Sequence, residues 1–397
     1  MNGTSLAEGI YWVGANDWKT RDFHHLVTRR GSSYNAFLIL DEKITVIDTV
    51  KAPFFGEMKE RLEQYISLKD ISYIISLHVE PDHAGSLPLL LREAPQAQVI
   101  TSQRFGEIGL SHSFPTVAPL QAVAEGDQLS LGKRKLVFHL TPMVHFPDNM
   151  MAYMAEEGIL FSSDAFGQTI AARTRFDDEA DSSALMDETA RYYANIFMPY
   201  ANQVRRALAW IRGLNLKLIA PAHGFLWRKG IDEVLADYDR WSQGESQPRV
   251  VVAYDTIYGS TEIMAPAIVQ GITSEGVAAS LYHLAQTPDS DIMTHLLEAR
   301  ALVVGSPTQN NEVVPSVARL LSYLRGLRPK GKLGGAFGCY GWSGGATRII
   351  LEAMKEGGME IIEPGLDIKF APSAEELDSC RNWGKELARC VKAQSSP

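Results

Sequence analysis

The chain has 397 residues, of which 45% are hydrophobic and 21% are charged. Because a single hydrophobic core stops growing at roughly 250–300 residues, we expect two domains. The formal net charge is −9, and no stretch concentrates lysine and arginine. The composition therefore argues against nucleic acid as a partner.

The three cysteines, Cys339, Cys380 and Cys390, include no Cys-x-x-Cys pair, which argues against a disulfide framework or an iron–sulfur site. The first residues lack a basic region followed by an apolar core, and no run of about 18 apolar residues occurs. We therefore expect a cytoplasmic protein that does not enter a membrane.

The first part of the sequence mixes short β-prone runs with helical patterns. The β-prone runs lie at 36–40, 44–47, 71–77, 99–101, 136–140, 158–162 and 216–219. Helical periodicity is clearest at 86–93, 184–197 and 202–212. This mixture predicts an α/β domain with many strands, compatible with a β-sandwich covered by helices.

A polar stretch at 240–249 separates this part from a regular alternation of strands and helices, so we predict domains at 1–246 and 247–397. Strands are predicted at 250–254, 277–282, 301–305, 333–338 and 359–363, and helices at 262–275, 291–298, 313–325, 343–356 and 373–391. Five strands alternating with five helices are typical of a doubly wound parallel sheet.

The loop His78-Val-Glu-Pro-Asp-His83 carries four potential metal ligands within six residues. Binuclear zinc hydrolases with this kind of loop usually have a histidine at its third position. Glu80 instead supplies a hard anionic oxygen, which favours iron or manganese. The loop therefore predicts a redox-active metal pair.

Three further candidate ligands follow apolar runs elsewhere: His145, Asp164 and His223. Because strand ends converge in α/β folds, residues distant in sequence meet there. We predict one cluster of seven ligands, made of His78, Glu80, Asp82, His83, His145, Asp164 and His223. Seven ligands suit two metals that share a carboxylate, and Asp164 is the natural bridge. Four other histidines lack such a setting and are interpreted as structural or surface residues: His112, His139, His283 and His295.

Three loops after predicted strands of the second domain are candidates for a cofactor site. The first, 255–262, joins a strand to a helix, and its small and hydroxylated residues suit a phosphate. Neither a P-loop nor a dinucleotide fingerprint is present, which favours a mononucleotide. The loop resembles the FMN-phosphate loop of flavodoxins. The candidate contacts are Thr256, Tyr258, Gly259, Ser260, Thr261, Pro307, Thr308, Gln309, Asn310, Tyr340, Gly341, Trp342, Ser343 and Gly344.

The metal loop, followed by ligands at intervals of 62, 19 and 59 residues, resembles the metallo-β-lactamase fold, an αββα sandwich. Its His-x-Glu-x-Asp-His form is similar to that of the flavodiiron proteins, which join this fold to a flavodoxin-like domain. The resemblance implies one iron at His78, Glu80 and His145. It implies a second iron at Asp82, His83 and His223, with Asp164 bridging. It also implies that Thr256, Ser260 and Thr261 hold the FMN phosphate, while Tyr258, Asn310 and Trp342 border the flavin ring.

Residues outside the ligand set also resemble the family. The segment 34–39 is similar to its early strand, and Phe23-His24 begins a segment that in relatives continues Gly-Tyr but here continues His25-Leu26. We expect His24 near the open face of the metals. Tyr192 and Tyr193 also match. One of them could donate a hydrogen bond to bound gas or to a reduced intermediate, and equally both could be packed helix aromatics.

The resemblance implies reduction of dioxygen to water, of nitric oxide to nitrous oxide, or of both, with electrons delivered through FMN. It also implies a head-to-tail homodimer or a dimer of dimers. With no cysteine pairs for a built-in rubredoxin, the chain needs an external donor such as rubredoxin or a reduced deazaflavin coenzyme. A zinc hydrolase fused to a flavodoxin and a pure electron carrier are the alternatives. Glu80 argues against the first and the complete ligand set against the second.

Overall fold

The structure, a computed structural model, describes residues 3–115 and 120–393. Backbone contacts divide these residues into two units. The first contains the described residues up to Tyr193 together with Tyr200–Asp239, and the second contains Ala194–Pro199 and the described residues from Arg240 onward. The domain boundary predicted near residue 246 remains a prediction. No sequence signal indicated that Ala194–Pro199 belongs with the second unit.

The first unit consists of short strands and α-helices. Seven α-helices begin among its described residues. The strands are β1 (Thr4–Ala7), β2 (Ile10–Trp12), β3 (Ala15–Asp17), β4 (Asp22–Phe23), β5 (Leu26–Val27), β6 (Ser32–Tyr34), β7 (Phe37–Ile39), β8 (Thr45–Ile47), β9 (Tyr73–Ile75), β10 (Gln98–Ser102), β11 (Leu120–Val123), β12 (Gln128–Ser130), β13 (Lys135–Leu140), β14 (Met150–Met154), β15 (Ile159–Ser163) and β16 (Leu218–Pro221). The helices are α1 (Phe55–Leu62), α2 (Pro81–Ala84), α3 (Leu87–Glu93), α4 (Phe105–Ser113), α5 (Ser182–Tyr192), α6 (Ala201–Ile211) and α7 (Ile231–Ser242).

Two sheets pack face to face in this unit. The larger has the strand order β1-β2-β7-β8-β9-β10-β11, and the smaller runs β12 to β16 in sequence order. Phe37 of β7 contacts Phe161 of β15 across the sandwich, with ring centroids 5.1 Å apart. Leu38, one residue along β7, packs instead in a separate core with Met58 of α1 and Leu90 of α3. This alternation of side chains gives the larger sheet one face for the sandwich and one for helices.

The second unit alternates strands and helices almost without interruption. Its strands are β17 (Gln247–Tyr254), β18 (Ala278–His283), β19 (Ala299–Gly305), β20 (Leu333–Tyr340), β21 (Glu360–Ile361) and β22 (Leu366–Lys369). Its helices are α8 (Ser260–Ser274), α9 (Asp289–Glu298), α10 (Pro315–Leu327), α11 (Ala346–Glu356) and α12 (Ala374–Ala393). Among the described residues, no helix combines the length and the apolar character needed to cross a membrane.

The sheet of the second unit is parallel, with the order β18-β17-β19-β20-β21, and β22 also pairs with β20. Val251 and Ala253 of β17 enter one core, with α9, α10 and α11. Val250 and Val252 enter the other, with α8 and α12. Helices on both faces bury most of the central strands β17, β19 and β20, as their apolar runs require, while the edge strand β18 stays partly exposed. The predicted doubly wound architecture is confirmed.

The structure departs from the predicted elements in several places, three of which have a physical explanation. The strand predicted at 359–363 is present only as the two-residue β21. Strand β22, which was not predicted, follows Pro364, a residue that lacks the N–H needed for a continuous ladder. The helix predicted at 184–197 is regular only to Tyr192, and Tyr193–Phe197 forms a wider π-helical turn. Strand β14 was not predicted, because Met150–Met154 contains no β-branched residue and shows no alternation.

Candidate metal centre and flavin pocket

The seven predicted ligands lie together, although they come from four separate stretches of chain. His78 and Glu80 follow β9, His145 follows β13, Asp164 directly follows β15 and His223 follows β16. Their ligand atoms form two groups, within each of which all atoms lie within 4.8 Å of one another. The first group is His78, Glu80, His145 and Asp164, and the second is Asp82, His83 and His223.

The metal loop turns sharply because Pro81 is the first residue of α2. Proline is favoured at this position since its fixed φ matches the helix and its missing N–H would be unpaired there. Glu80 therefore precedes the helix while Asp82 and His83 lie within it. The turn thus directs Glu80 to the first metal group and Asp82 and His83 to the second, although they are neighbours in sequence.

Asp164 lies between the two groups and presents one oxygen to each. Its Oδ2 lies 3.7 Å from His78 Nε2 and 3.6 Å from His145 Nε2. Its Oδ1 lies 3.2 Å from His83 Nε2 and 3.3 Å from His223 Nε2. This is the arrangement of a carboxylate that bridges two cations.

The cluster fits two cations because its buried ligand atoms lack hydrogen-bond partners. Asp82 Oδ2, His83 Nε2, Asp164 Oδ2 and His223 Nε2 are all buried and unpartnered. Buried polar atoms normally form hydrogen bonds, since leaving them unpaired is costly. Four such atoms in one place are explained if each has a metal ion as its partner.

The second ring nitrogen of two histidines is held by protein oxygen atoms. His78 Nδ1 lies 3.0 Å from Asp148 Oδ2, and His223 Nδ1 donates to the backbone oxygen of Ser33 at 2.7 Å. Ligating histidines commonly carry such partners, which orient the ring and fix its tautomer. Both Nε2 atoms are thereby left for a metal.

Mutual attraction between acids and histidines shifts their pKa values. Burial by itself would raise the pKa of Asp82, but His83 and His223 lower it to about 2. The pKa of Asp164 is likewise well below its usual range, because His83 and His223 outweigh the effect of burial. Both carboxylates are therefore anionic at neutral pH and suited to hard cations.

His24 lies beside the first metal group. Its Nε2 is 3.4 Å from Glu80 Oε2, and its side chain is 36% exposed. His24 and His25 form the two-residue loop between β4 and β5, with φ values of 52° and 63°. Glycine adopts such positive values without steric cost, so His25 occupies a turn position that favours glycine. The departure at His25 thus changes a turn residue and leaves His24 beside the cluster.

The two candidate tyrosines have different surroundings. Tyr192 is fully buried, and its hydroxyl donates to Asp164 Oδ1 at 3.1 Å. Tyr193 packs edge-on against Tyr238, with ring centroids 4.9 Å apart. Tyr192 is therefore the tyrosine that contacts the candidate bridging carboxylate.

The second unit has a cavity of about 460 Å³ at the carboxyl ends of its strands. The predicted cofactor residues that line it are Thr256, Tyr258, Ser260, Pro307, Thr308, Gln309, Asn310, Tyr340, Gly341 and Trp342. Gly259, Thr261, Ser343 and Gly344 are not among its lining residues. Thr261 is fully buried, with its hydroxyl 3.4 Å from Cys339 Sγ, and Ser343 donates to Asn311 Oδ1 at 3.0 Å.

The cavity fits a flat aromatic cofactor with a phosphate. Tyr258 and Trp342 are 96% and 79% exposed, an arrangement that leaves two large aromatic faces for stacking. Ser260 begins α8, and helix N-termini favour phosphate. Ile257, Cys339, Phe370 and Ala371 also line the cavity and were not predicted. Applying the strand-end rule to the loop after β22 would have found Phe370 and Ala371.

The fold and the paired sites define a flavodiiron protein, and the chain belongs to that family. The family model described as "ODP family beta lactamase" matches residues 33–224, and the Flavodoxin model matches residues 252–384. The family and the two fold classes predicted from the sequence are confirmed. Membership implies FMN and a diiron centre as cofactors.

Three relatives are similar over nearly their whole length. The nitric oxide reductase of Moorella thermoacetica is 43% identical over 97% of this chain and 98% of its own. The rubredoxin oxygen:oxidoreductase structure from Desulfovibrio gigas is 36% identical, covers 100% of both chains and has a TM-score of 0.97. The flavodiiron protein structure from Giardia intestinalis is 36% identical, covers 100% of this chain and 99% of its own, and has a TM-score of 0.96.

Proposed function

We propose that this protein is an oxidoreductase that reduces dioxygen to water, nitric oxide to nitrous oxide, or both, at a diiron site supplied with electrons through FMN. The observation that carries the proposal is the position of Asp164 between two groups of ligand atoms, with Glu80 in the first group. The full ligand set of both metals belongs to the proposal, as do His24 and Tyr192 beside it.

The ligand set favours iron over zinc. Glu80, Asp82 and Asp164 supply carboxylate oxygens, which are harder donors than the imidazoles that dominate zinc sites. Two ferrous ions and a reduced flavin together supply the four electrons that dioxygen reduction needs, and more than the two that coupling of nitric oxide needs. A hydrolase would need neither flavin nor a redox-active pair.

The side of the cluster at Glu80 is open to small molecules. The side chains of Glu80 and His145 are 17% and 11% exposed, while those of His78 and His223 are fully buried. His24 and Phe146 border this side and are more exposed still. We therefore place gas binding beside Glu80 and His145. His24 can donate a hydrogen bond there, and the Glu80 carboxylate raises the pKa of its imidazole.

The electron donor and the assembly are inferred from the family. The relative from Desulfovibrio gigas is named for rubredoxin, which supports an external rubredoxin as donor, and a reduced deazaflavin coenzyme is the alternative. Since the metal and flavin sites belong to different units, we propose a head-to-tail homodimer, or a dimer of such dimers, in which one subunit's FMN serves the other's irons. The reducing cytoplasm is the proposed compartment, in keeping with three free cysteines.

Stopped-flow spectroscopy of the anaerobically reduced protein tests the function. The reduced protein is mixed with dioxygen and, separately, with nitric oxide, and the flavin should be reoxidised within the turnover time. The gas that reoxidises the flavin faster is the preferred substrate. His78→Ala should abolish this reaction while flavin absorbance remains. Metal analysis of the purified protein should find two irons per chain. Zinc in both positions, or equal reoxidation by the His78→Ala variant, would contradict the proposal.

A further inference from the structure

Besides the flavin pocket of the second unit, the protein has a cavity of about 780 Å³ in the first unit. The residues that line this cavity do not belong to the metal cluster. The size of the cavity lies within the range of roughly 300–1,000 Å³ that small-molecule sites occupy. It is lined in part by Trp12, Asn16, Trp18, Arg61, Arg173 and Arg175. We propose that this cavity binds a small molecule through a phosphate group, which the guanidinium groups of Arg61 and Arg175 hold.

Two of the lining arginines are buried to an unusual degree. Arg61 and Arg175 are each 3% exposed. Arginine is almost never fully buried unless it is paired, because removing its charge from water is costly. Arg173 lines the same cavity but is exposed. The cavity therefore has two buried cations inside and one exposed cation at its surface.

Arg175 has little compensation from the protein. Its side chain donates one hydrogen bond, to Asn16 Oδ1 at 3.3 Å. Among the residues that the structure describes, no carboxylate forms an ion pair with it within 4.0 Å. A guanidinium has five N–H donors, so most of the donors of Arg175 have no partner among these described residues. The guanidinium of Arg175 lines the cavity, so these donors are available to a ligand there.

Arg61 is also incompletely paired. It donates to the Gly14 backbone oxygen at 2.6 Å and forms an ion pair with Glu57 at 3.1 Å. Its Nε is buried and has no hydrogen-bond partner. The Glu57 side chain is 46% exposed, so water screens its charge. The orphaned Nε shows that the protein compensates the buried charge of Arg61 only in part.

Both guanidiniums lie near one aromatic ring. The Cζ atoms of Arg61 and Arg175 are 4.9 Å and 4.3 Å from the centroid of Trp12. Cation–π attraction favours each contact, but the two cations repel each other. Burial, followed by the charge of Arg61, lowers the pKa of Arg175 to about 10. An anion between them would relieve the repulsion.

A phosphate suits this setting better than a carboxylate. Planar guanidiniums pair with phosphate oxygens in a bidentate manner, and phosphate offers three acceptor oxygens for several free donors. Glu57 and Glu60 also line the cavity, so its net charge is small and the anion must bind at the arginine end. The volume exceeds that of a phosphate ion, and Trp18, which is 50% exposed, offers apolar surface to the rest of a phosphate monoester.

Titration calorimetry of the protein with iron and FMN bound tests the proposal, because FMN then fills the flavin's own phosphate site. The probes are inorganic phosphate, AMP as a phosphate monoester, and adenosine as its partner without phosphate. Saturable binding of phosphate and AMP at one site per chain, with none for adenosine, is the expected result. Tighter binding of AMP identifies an ester as the natural ligand, and equal affinities identify free phosphate. If neither phosphate nor AMP binds saturably, the proposal is overturned.

Variants locate the site. Arg175→Gln should weaken phosphate binding about tenfold or more, because it leaves the bound anion short of a buried partner. Arg173→Gln changes an exposed side chain, is not expected to disturb folding, and should weaken binding severalfold. The matched control is Arg212→Gln, an arginine of the same unit that is 57% exposed and pairs with Asp239 outside the cavity. Wild-type affinity in both Arg175→Gln and Arg173→Gln would place any binding elsewhere and refute the assignment.

Discussion

Asp148 holds His78 and the backbone beside it with the same carboxylate oxygen. Its Oδ2 lies 3.0 Å from His78 Nδ1 and accepts a hydrogen bond from the Val79 N–H at 2.7 Å. Asp148 is itself 3% exposed, and its backbone oxygen accepts from Ser102 Oγ at 2.6 Å. The start of the metal loop is therefore fixed by a residue that is not itself a candidate ligand.

Replacing Asp148 by Asn should weaken metal binding while the fold survives. Asn keeps one oxygen for these contacts but loses the negative charge that makes His78 a better donor to a metal. Mutation of such supporting residues typically costs about 10–100-fold in metal affinity. Iron content after dialysis against a chelator measures the effect. Glu156→Gln, in an exposed turn, is the charge-matched control and should retain its iron.

Replacing Tyr192 by Phe should slow gas reduction without removing either cofactor. The change deletes the hydroxyl that donates to Asp164 Oδ1 and leaves the ring in place. A hydrogen bond to a charged group contributes about 1.5–3 kcal/mol, so turnover should fall by roughly tenfold or more if the bond is needed in the reaction. Stopped-flow reoxidation rates and iron content are the measurements. Tyr193→Phe is the matched control, and an equal loss in that variant would show a packing effect instead.

Replacing Trp342 by Ala should weaken FMN binding without lowering the stability of the apoprotein. The side chain is 79% exposed, so it contributes little to the core, yet it lines the flavin pocket. Base–aromatic stacking contributes about 1–3 kcal/mol, which predicts roughly 10–100-fold weaker flavin binding. Quenching of flavin fluorescence on titration gives the dissociation constant. Phe105→Ala, at a 44% exposed aromatic on α4, should leave that constant unchanged.

The sequence predicted the candidate metal cluster because its members obey one rule. His145, Asp164 and His223 each follow an apolar run, and the structure brings all three beside the metal loop, after β13, β15 and β16 of one sheet. Asp148 could not be predicted in this way. It lies in an irregular loop after His145, and its role depends on a contact with residues about 70 positions earlier, for which no local pattern exists.

The same limit explains which elements of the fold were missed. The parallel sheet of the second unit was predicted because its apolar runs are long and regularly spaced. Strand β14 was missed because its sequence has neither β-branched residues nor a polar alternation, whereas the equally buried β15 begins with an apolar Ile-Leu-Phe run. The assignment of Ala194–Pro199 to the second unit depends on contacts such as the Tyr323 hydroxyl with Asn195 Oδ1 at 2.8 Å. A single sequence contains no record of such pairings.

Lys332 combines a positive charge with deep burial in the second unit. It immediately precedes β20, is 4% exposed, and donates through Nζ to the Leu297 backbone oxygen at 2.8 Å. Burial, and secondarily the charge of Arg300, lowers its pKa to about 7, although Glu298 acts in the opposite direction. The folded protein therefore releases this proton near neutral pH, whereas an unfolded lysine holds it to about pH 10.

This difference predicts that stability rises with pH between about 7 and 10. In that window the unfolded state binds more protons than the folded state, so the free energy of unfolding increases with pH. Below pH 7 both states are protonated and the cost of the buried charge is fully present. Lys332→Met should remove this dependence and should be more stable than the wild type at pH 6, by up to about 5 kcal/mol. Thermal melts from pH 6 to 10 measure it, with the exposed Lys330→Met as control. A constant difference in Tm between Lys332→Met and the wild type at every pH would show that Lys332 is charged throughout.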